Sequence, residues 1–377
     1  MGAATATLAE AVRARRWHAF DGQLLLYLVL LIGFGLAVNY SINFGGGGTG
    51  APSQTVRLAL WAAIGLIGFF IAASVDYHWL GTFATPLYLA VLALLGVNLV
   101  AGSAVNGAQL SVSLGGLDFQ FSELSKVLTV VVLAAFLASR RERVGRLSTI
   151  AGAVALMSLP LGMVLLQPDL GTGLVFVAIA VGMLFMAGAG IGWMGILTGG
   201  GLLAAPLAIA SLQAYQRQRL FCFLDPGADP LGACYQLIQS LNAIGSGGLV
   251  GVGLTTGQNG PLGLLPVQST DFVFAVVAHE LGLVGGLLLL GLFTLLIWRV
   301  LAIAWGAADA LGSLIGAGIA CLLLFQVAVN VGMALGLVPV TGIPLPFVTY
   351  GGSSLISLLV GMGILESVRL HARRASP

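Results

Sequence analysis

The chain has 377 residues, of which 58% are hydrophobic and 7% are charged; its formal net charge is +2 and its mean hydropathy is +1.05. A soluble domain carries about 25% charged residues, so this composition excludes a soluble globular protein, a disordered chain and a nucleic-acid-binding domain. The sequence predicts an all-α polytopic integral membrane protein that forms a single transmembrane domain over residues 1–377.

Ten apolar runs are long enough to cross a bilayer, for which a helix needs about 20 residues. Their residues are continuously apolar and do not alternate with polar ones, which argues against a β-barrel. We therefore predict ten transmembrane helices. The runs lie at residues 23–41, 56–75, 79–101, 122–139, 149–166, 170–187, 190–212, 272–298, 311–335 and 352–368.

The basic residues indicate which ends of these spans face the cytoplasm, because cytoplasmic loops carry an excess of Arg and Lys. Placing the N-terminus inside puts 11 of the 15 basic residues on the cytoplasmic side. The four that remain outside are Arg57, Lys126, Arg217 and Arg219. We expect both ends of this multi-pass protein to be cytoplasmic, as an N-terminal segment (1–22) and a tail (369–377).

Seven of the 13 acidic residues lie on the opposite, outer side of the membrane or at the outer ends of helices. They are Asp118, Glu123, Asp169, Asp225, Asp229, Asp271 and Glu280. An ionisable group at membrane depth is costly and usually lines a cavity, although a single one can be an interfacial side chain that reaches water. Glu123 and Lys126 are three residues apart, so they share a helix face and can pair. The pair either neutralises itself so that the helix can cross, or lines a cavity with Asp169.

The longest segment between spans covers residues 213–271 and is predicted to be a large, structureless extracytoplasmic loop between the seventh and eighth helices. Loops of this length in a compact protein are usually functional. Arg217 and Arg219 could bind a pyrophosphate group through their guanidinium groups. The alternative is a structural pair with Asp225 or Asp229.

Two of the three cysteines, Cys222 and Cys234, lie twelve residues apart in this loop. The outer side of the membrane is oxidising and permits a disulfide there. Independent packing of two small apolar side chains is the alternative, since the Cα geometry cannot be read from the sequence. Cys321 falls within the ninth span, where we expect a reduced, buried thiol.

A series of motifs occurs in order along the chain. They are Ser122-Glu123 with Lys126, QPDLGT at 167–172, YQRQR at 215–219, FLDP at 223–226, AIGSGGL at 243–249, TDFVFAV at 270–276, TGIPLPF at 341–347 and YGGSS at 350–354. Together they resemble the SEDS family, the RodA and FtsW type of cell-wall polymerases. The resemblance implies a ten-span peptidoglycan glycosyltransferase in the bacterial cytoplasmic membrane, which polymerises the lipid-linked disaccharide lipid II into glycan strands on the outer face.

The resemblance also implies a site and a partner. It places the essential aspartate of the family at Asp271, which would act as the general base of an inverting reaction. The residues expected to line the substrate cavity are Glu123, Lys126, Asp169, Arg217, Arg219, Gln239, Ser240 and Glu280. The expected protein partner is a class B penicillin-binding protein, a single-span transpeptidase that cross-links the new strands.

Local chemistry at Asp271 suits a base. Thr270 is a good N-cap, so we expect Asp271 to lie at the start of the eighth helix, where the helix dipole favours an ionised carboxylate. The chain departs from the family pattern at Val267, where a glutamate is usual, and at His279, where the first of two glutamates is usual. The four histidines form no ligand cluster. A divalent cation, magnesium or manganese, could still bridge a carboxylate and pyrophosphate, but spacing does not specify such a site.

Two other classes of function remain open at this point. A transporter or flippase of the lipid-linked precursor would also need a polar cavity within ten helices. Such transporters often have internal repeats with broken helices at matching positions, and the sequence has no such repeat. The second alternative is a membrane scaffold for a partner synthase. Strand synthesis by the purified protein would distinguish an enzyme from both.

Overall fold

The computed structural model describes residues 19–45, 51–105, 108–114, 117–255, 261–265 and 268–372. Most of the predicted N-terminal segment (1–22) therefore lies outside the described residues. The same holds for the end of the tail (369–377) and for Val267, so the placement predicted for them is not addressed by the structure.

The described residues form a bundle of α-helices joined by short turns and 3₁₀ segments. The helices are α1 (Gly22–Gly45), α2 (Ala51–Ser74), α3 (Tyr77–Thr82), α4 (Ala84–Ala101), α5 (Phe121–Ala138), α6 (Leu147–Leu166), α7 (Leu170–Met186), α8 (Ile191–Ser211), α9 (Ala214–Leu224), α10 (Tyr235–Gly247), α11 (Val273–Glu280), α12 (Gly282–Trp305), α13 (Ala310–Ala334) and α14 (Gly352–Ala372).

Eight of the ten predicted spans correspond to one apolar helix each; the third (79–101) is divided between α3 and α4 at Phe83, and the eighth is divided as described below. Seven helices of the described residues are long and apolar enough to cross a membrane, namely α1, α2, α5, α6, α12, α13 and α14. The other three predicted spans correspond to shorter apolar helices within α4, α7 and α8. The predicted all-α polytopic membrane fold is confirmed.

A small antiparallel sheet, which the sequence analysis did not predict, lies between α4 and α5. Its strands are β1 (Ser103–Val105), β2 (Ala108–Leu114) and β3 (Leu117–Phe119), paired in the order β1-β2-β3. The longest strand has the sequence AQLSVSL, in which apolar and polar residues alternate at every second position, as in a strand with one buried face. A search for apolar runs of about 20 residues cannot detect so short a pattern.

The eighth predicted span, 272–298, is wrong as a single helix, because it divides into α11 and α12. The chain turns at Gly282, whose φ of +67° lies in the left-handed region that residues with a Cβ rarely adopt. Such a break leaves backbone groups without helical partners, which is costly in a membrane. A glycine-rich turn supplies the missing partners. Its bonds run from Val252 N to His279 O, Gly253 N to Glu280 O, Leu283 N to Gly248 O and Val284 N to Leu249 O.

The prediction of a structureless loop over 213–271 is also wrong, because this segment contains α9 and α10. A capping box at Gln213 and Gln216 begins α9. A disulfide joins Cys222 in α9 to Cys234, the residue that precedes α10, with the two Cα atoms 5.1 Å apart. The disulfide was one of two alternatives from the sequence, and the structure selects it. Cys321 is free as predicted, but it is partly exposed and not buried.

We expect unreduced protein to show one reactive thiol. Under denaturing conditions a thiol-specific mass label should modify Cys321 alone, and prior reduction should expose Cys222 and Cys234 as well. Closing a loop of this length stabilises a fold by about 3 kcal/mol, so the reduced protein should also have a lower melting temperature. Labelling of all three cysteines before any reductant is added would show that the bond does not form.

A buried carboxylate joins three helices at one end of the bundle. Asp21, just before α1, pairs with Arg299 of α12 at 2.8 Å and with Arg369 of α14 at 3.1 Å. Its backbone amide donates to Glu366 Oε1 at 2.9 Å. We call this the Asp21 end. The turn that carries Asp271, described below, is bonded to Tyr350 just before α14 and so lies near the opposite end of that helix from Arg369.

Candidate active site

Glu123 and Lys126 form a buried ion pair in the first turns of α5. The Lys126 Nζ atom lies 2.7 Å from Glu123 Oε1, and the two side chains are only 2% and 3% exposed. The helix begins at Phe121, so the carboxylate lies where the helix dipole favours negative charge. The predicted pairing is confirmed, and the second oxygen, Glu123 Oε2, is buried without a hydrogen-bond partner.

Asp169 completes a charged cluster with this pair. Its carboxylate caps α7 by accepting a hydrogen bond from Thr172 N at 2.9 Å. Burial raises the pKa of the Asp169 carboxyl, and the nearby Glu123 carboxylate raises it too. Hydrogen bonds from Thr172 and the charge of Lys126 oppose that rise. Three residues that the sequence placed in one cavity are therefore electrostatic neighbours, although α5 and α7 are not adjacent in the chain.

The connection between α13 and α14 links this cluster to Asp271. Gly171 packs so closely under the connection that a Cβ there would lie 2.5 Å from the Thr341 carbonyl oxygen. At the next residue in the connection, Gly342, a Cβ would lie 3.7 Å from Asp271 Oδ2. The backbone at 341–342 is thus close both to the first turn of α7, which Asp169 caps, and to the Asp271 carboxylate.

Asp271 lies in a turn that precedes α11, not in the first turn of a helix as predicted. The helix begins at Val273, and its N-cap is Phe272, without a side-chain cap. The turn is instead held through its carbonyl groups by residues that come later in the chain. The bonds run from Tyr350 N to Ser269 O at 2.9 Å, from Thr349 Oγ1 to Thr270 O at 3.3 Å and from Asn330 Nδ2 to Asp271 O at 3.1 Å.

Within the part of the chain that the structure describes, Arg219 is the cation that acts on the Asp271 carboxyl. Burial raises the pKa of this carboxyl above its usual value of 3.8. The guanidinium of Arg219 and a hydrogen bond from the Thr270 side chain hold that rise back. Because burial favours the proton and Arg219 favours the charge, Asp271 is suited to gaining and losing a proton during a reaction.

Arg219 and Arg217 differ in their surroundings. Arg219 is partly buried and lies over the Tyr215 ring, 6.0 Å from its centroid, whereas Arg217 is exposed. The alternative pairing with Asp225 or Asp229 is not found among the ion pairs of the described residues. Those two carboxylates accept bonds from the backbone amides of Gly227 and Ala233.

The remaining predicted cavity residues lie on α10 and α11. Gln239 is partly exposed, and Ser240 is buried and donates to the Ala334 carbonyl at 2.8 Å, which fastens α10 to α13. Glu280 is 2% exposed and accepts a 2.5 Å hydrogen bond from the Ser41 hydroxyl of α1. These contacts hold helices together, and a role of the three side chains toward substrate stays a prediction.

Two residues that support the site were not singled out from the sequence. Asn330, buried in α13, donates to the carbonyl groups of both Asp271 and Ile343. A polar amide inside an otherwise apolar span was the signal that could have identified it. Gln216 of α9 donates to the Pro168 carbonyl at 2.9 Å, and so ties α9 to the turn that carries Asp169. Its position inside the YQRQR motif was the corresponding signal.

A ready-made metal centre is not present in the part of the chain that the structure describes. No group of three or more His, Cys, Asp or Glu side chains there could hold a metal ion. The expected bridging by magnesium or manganese would need ligands from a bound pyrophosphate besides Asp271 or Asp169. It stays a prediction.

Comparison with known sequences identifies relatives along almost the whole chain. The model of the FtsW/RodA/SpoVE family, described as "Cell cycle protein", matches residues 22–374. "Peptidoglycan glycosyltransferase MrdB" of Escherichia coli strain K12 is 38% identical over 359 residues, which cover 94% of this chain and 95% of that protein. "Stage V sporulation protein E" of Bacillus subtilis strain 168 is 37% identical over 323 residues, covering 84% of this chain and 87% of the relative.

Solved structures share the fold. A chain from a peptidoglycan synthase complex, studied for the coordination of polymerization and crosslinking, superposes with a TM-score of 0.81 at 35% identity, covering 95% of this chain and 100% of that one. The crystal structure of the Rod shape determining protein RodA of Thermus thermophilus superposes with a TM-score of 0.71 at 32% identity, covering 96% of this chain and 99% of the other.

Proposed function

The chain belongs to the FtsW/RodA/SpoVE family and is a multi-pass membrane peptidoglycan glycosyltransferase, and from this membership we propose that Asp271 is its general base. The observation that carries the proposal is the position of the Asp271 carboxyl. It is partly buried, lies within the field of the Arg219 guanidinium, and is close to the backbone at 341–342, which also packs on Gly171 in the first turn of the helix that Asp169 caps. The proposed base and the Asp169 cluster thus lie near the same stretch of backbone, with Arg219 as the cation that acts on the base.

The proposed reaction joins lipid-linked disaccharide units, with lipid II as the substrate. The hydroxyl oxygen of the acceptor sugar attacks the anomeric carbon of the donor, and its proton passes to the Asp271 carboxylate. The bond between that carbon and the pyrophosphate oxygen breaks, and the electron pair leaves with the lipid pyrophosphate. Attack opposite to the leaving group inverts the anomeric configuration. The energy comes from the donor, so the reaction needs no nucleotide.

The leaving pyrophosphate needs positive charge. Arg219 is suited to this task because a guanidinium group binds phosphate oxygens through two parallel hydrogen bonds. Arg217 is exposed on the same helix, where it can meet an incoming substrate. Lys126 is neutralised by Glu123 at 2.7 Å, so we assign the pair to shaping the cavity with Asp169.

We further propose that the Asp21 end is cytoplasmic and that the Asp271 end faces the outer side of the membrane. Arg299 and Arg369 lie at the Asp21 end, and basic residues concentrate on the cytoplasmic side of membrane proteins. The expected partner is a class B penicillin-binding protein, which would cross-link the strands where they emerge. The similarity to a chain of a peptidoglycan synthase complex supports that proposal.

Strand synthesis by the isolated protein is the direct test. The protein, purified in detergent, is incubated with lipid II, and the products are separated by length after the lipid is removed. Glycan strands longer than the substrate are the expected result. Detergent has no two sides, so neither transport nor scaffolding can produce them. Failure to extend lipid II, both alone and with its transpeptidase partner, would contradict the proposed function.

The pH profile of kcat/KM should have an acid limb, that is, a fall in rate at low pH, and the pH of this fall should depend on Arg219. A base must be ionised, and burial raises the pKa of Asp271, so kcat/KM should fall with decreasing pH earlier than an exposed aspartate would require. Arg219→Ala removes a charge that lowers this pKa, so the limb should move to higher pH. Arg217→Ala removes the same charge from an exposed position and should leave the limb in place. If kcat/KM fell at the same pH in wild type and Arg219→Ala, the assignment of Asp271 as the base would be contradicted.

A further inference from the structure

We propose that the Cys222–Cys234 disulfide positions Arg219 beside Asp271 and thereby supports catalysis. The disulfide is thus a positioning element that acts through α9, and it makes no contact with substrate. The inference rests on the proposed role of Asp271 as base, which is tested independently.

The two attachments of α9 lie on either side of Arg219. Gln216, Arg219 and Cys222 follow one another at intervals of three residues, so they share one face of the helix. Among the 11 residues of α9, Gln216 and Cys222 are the buried ones. Gln216 binds the Pro168 carbonyl at 2.9 Å, and Cys222 is bonded to Cys234. One attachment therefore lies one turn before Arg219 and the other one turn after it.

The apolar side chains of α9 hold it only in part: Tyr215, Leu220 and Phe223 are partly buried, and none of the three is fully buried. Phe221 is 59% exposed and Leu224 is 71% exposed, so their burial against the rest of the protein is small. A helix of this length has little stability of its own in water. The position of Arg219 therefore depends on the two attachments, and the covalent one is the stronger.

On its other side the disulfide is joined to the frame that holds Asp271. Cys234 precedes α10 and is 1% exposed. The α10 helix is fixed to α13 by the bond from Ser240 to the Ala334 carbonyl. It is fixed to α11 by a 2.7 Å hydrogen bond between Ser246 Oγ and His279 Nδ1. The covalent bond thus connects the helix of Arg219 to the helices around Asp271.

Loss of the bond should move the guanidinium with respect to the carboxylate. A displacement of about 1 Å in a catalytic arrangement can lower the rate by about 10²-fold. Among the described residues, Arg219 of α9 is the charged group whose field acts on the Asp271 carboxyl, while Lys126, Glu123 and Asp169 form a separate cluster at the starts of α5 and α7. Only the first of these is carried by a segment that the disulfide holds.

The test is a double-mutant cycle on the purified full-length protein with lipid II as substrate. Cys222→Ser with Cys234→Ser should lower kcat by about tenfold or more. In an Arg219→Ala background the same two substitutions should change kcat by less than about twofold, because the residue they position is gone. The acid limb of kcat/KM should also move to higher pH, as in Arg219→Ala. The proposal would be overturned if the two serine substitutions lowered kcat equally in the wild-type and Arg219→Ala backgrounds and left the acid limb of kcat/KM at the same pH. The disulfide would then have only a structural role.

A second preparation guards against a variant that fails to fold. Wild-type protein can be purified with the bond intact and then reduced with a phosphine, which should lower kcat as the substitutions do. Cys321→Ala is the matched control, because this thiol is free and lies in α13: the variant should have the kcat of wild type before reduction and lose the same share of it after reduction. Unchanged kcat in reduced wild-type protein would overturn the proposal. Activity of Asp271→Asn would instead overturn the proposed base, so the two failures are distinguishable.

Discussion

Replacement of Asp271 with Asn should lower the rate of strand synthesis by about 10²- to 10⁴-fold, which is the usual contribution of a general base. The amide keeps the shape of the side chain and cannot accept the proton of the acceptor hydroxyl. Folding should be unaffected, since burial disfavours the charged carboxylate and the turn is held through backbone carbonyl groups. The measurement is kcat with purified lipid II, alongside the melting temperature.

Asp225→Asn is the matched control for this substitution. Asp225 lies in the same segment and is exposed, and it accepts a hydrogen bond from the Gly227 amide. Its replacement should change the rate by less than about twofold, since most surface substitutions have small effects. If a well-folded Asp271→Asn protein made strands at a rate near that of wild type, Asp271 would have no part in proton transfer.

Replacement of Lys126 with Ala should be the most destabilising of the substitutions considered for the site. It leaves the Glu123 carboxylate without its cation at a position where only 3% of the side chain is exposed. Breaking a buried pair by removing one partner costs about 3–5 kcal/mol, whereas an exposed pair contributes about 0–1 kcal/mol. We expect a lower melting temperature and a loss of strand synthesis, measured on protein in detergent.

Replacing both members of the pair separates structure from function. Glu123→Leu with Lys126→Met removes both charges at similar volume, and such exchanges are often neutral or stabilising. The double variant should therefore recover the melting temperature but not the activity, because the charged Glu123–Lys126 pair beside Asp169 is lost. Recovery of wild-type activity would show that the pair only allows α5 to cross the membrane.

The membrane architecture could be predicted from the sequence because it depends on one strong local signal. An apolar run of about 20 residues has few alternatives to a spanning helix. The break at Gly282 does not have such a signal. The residues on both sides are apolar, and one glycine hardly changes the hydropathy averaged over about 20 residues. The helices α9 and α10 were missed for the opposite reason: their sequences are too polar or too short to register as spans.

The site could be predicted in part for a similar reason. Glu123 and Lys126 are three residues apart, so their pairing follows from helix geometry alone. The approach of Asp169 to that pair, and of Arg219 to Asp271, joins residues 43 to 52 positions apart and needs the packed bundle. The identity of the base came from motif resemblance, and the dependence of its turn on Asn330 could be seen only in the structure.

The hydrogen bonds that hold the 269–271 turn have a consequence for biosynthesis. Their donors are Asn330, Thr349 and Tyr350, which leave the ribosome only after most of the protein has been made. A nascent chain in the translocon therefore carries Asp271 into the membrane well before the turn around it can be fixed. We expect ribosome-bound chains halted before residue 330 to be inactive, and chains released after α14 to gain activity in a single late step. Premature contact with a reactive lipid precursor would thereby be avoided during insertion.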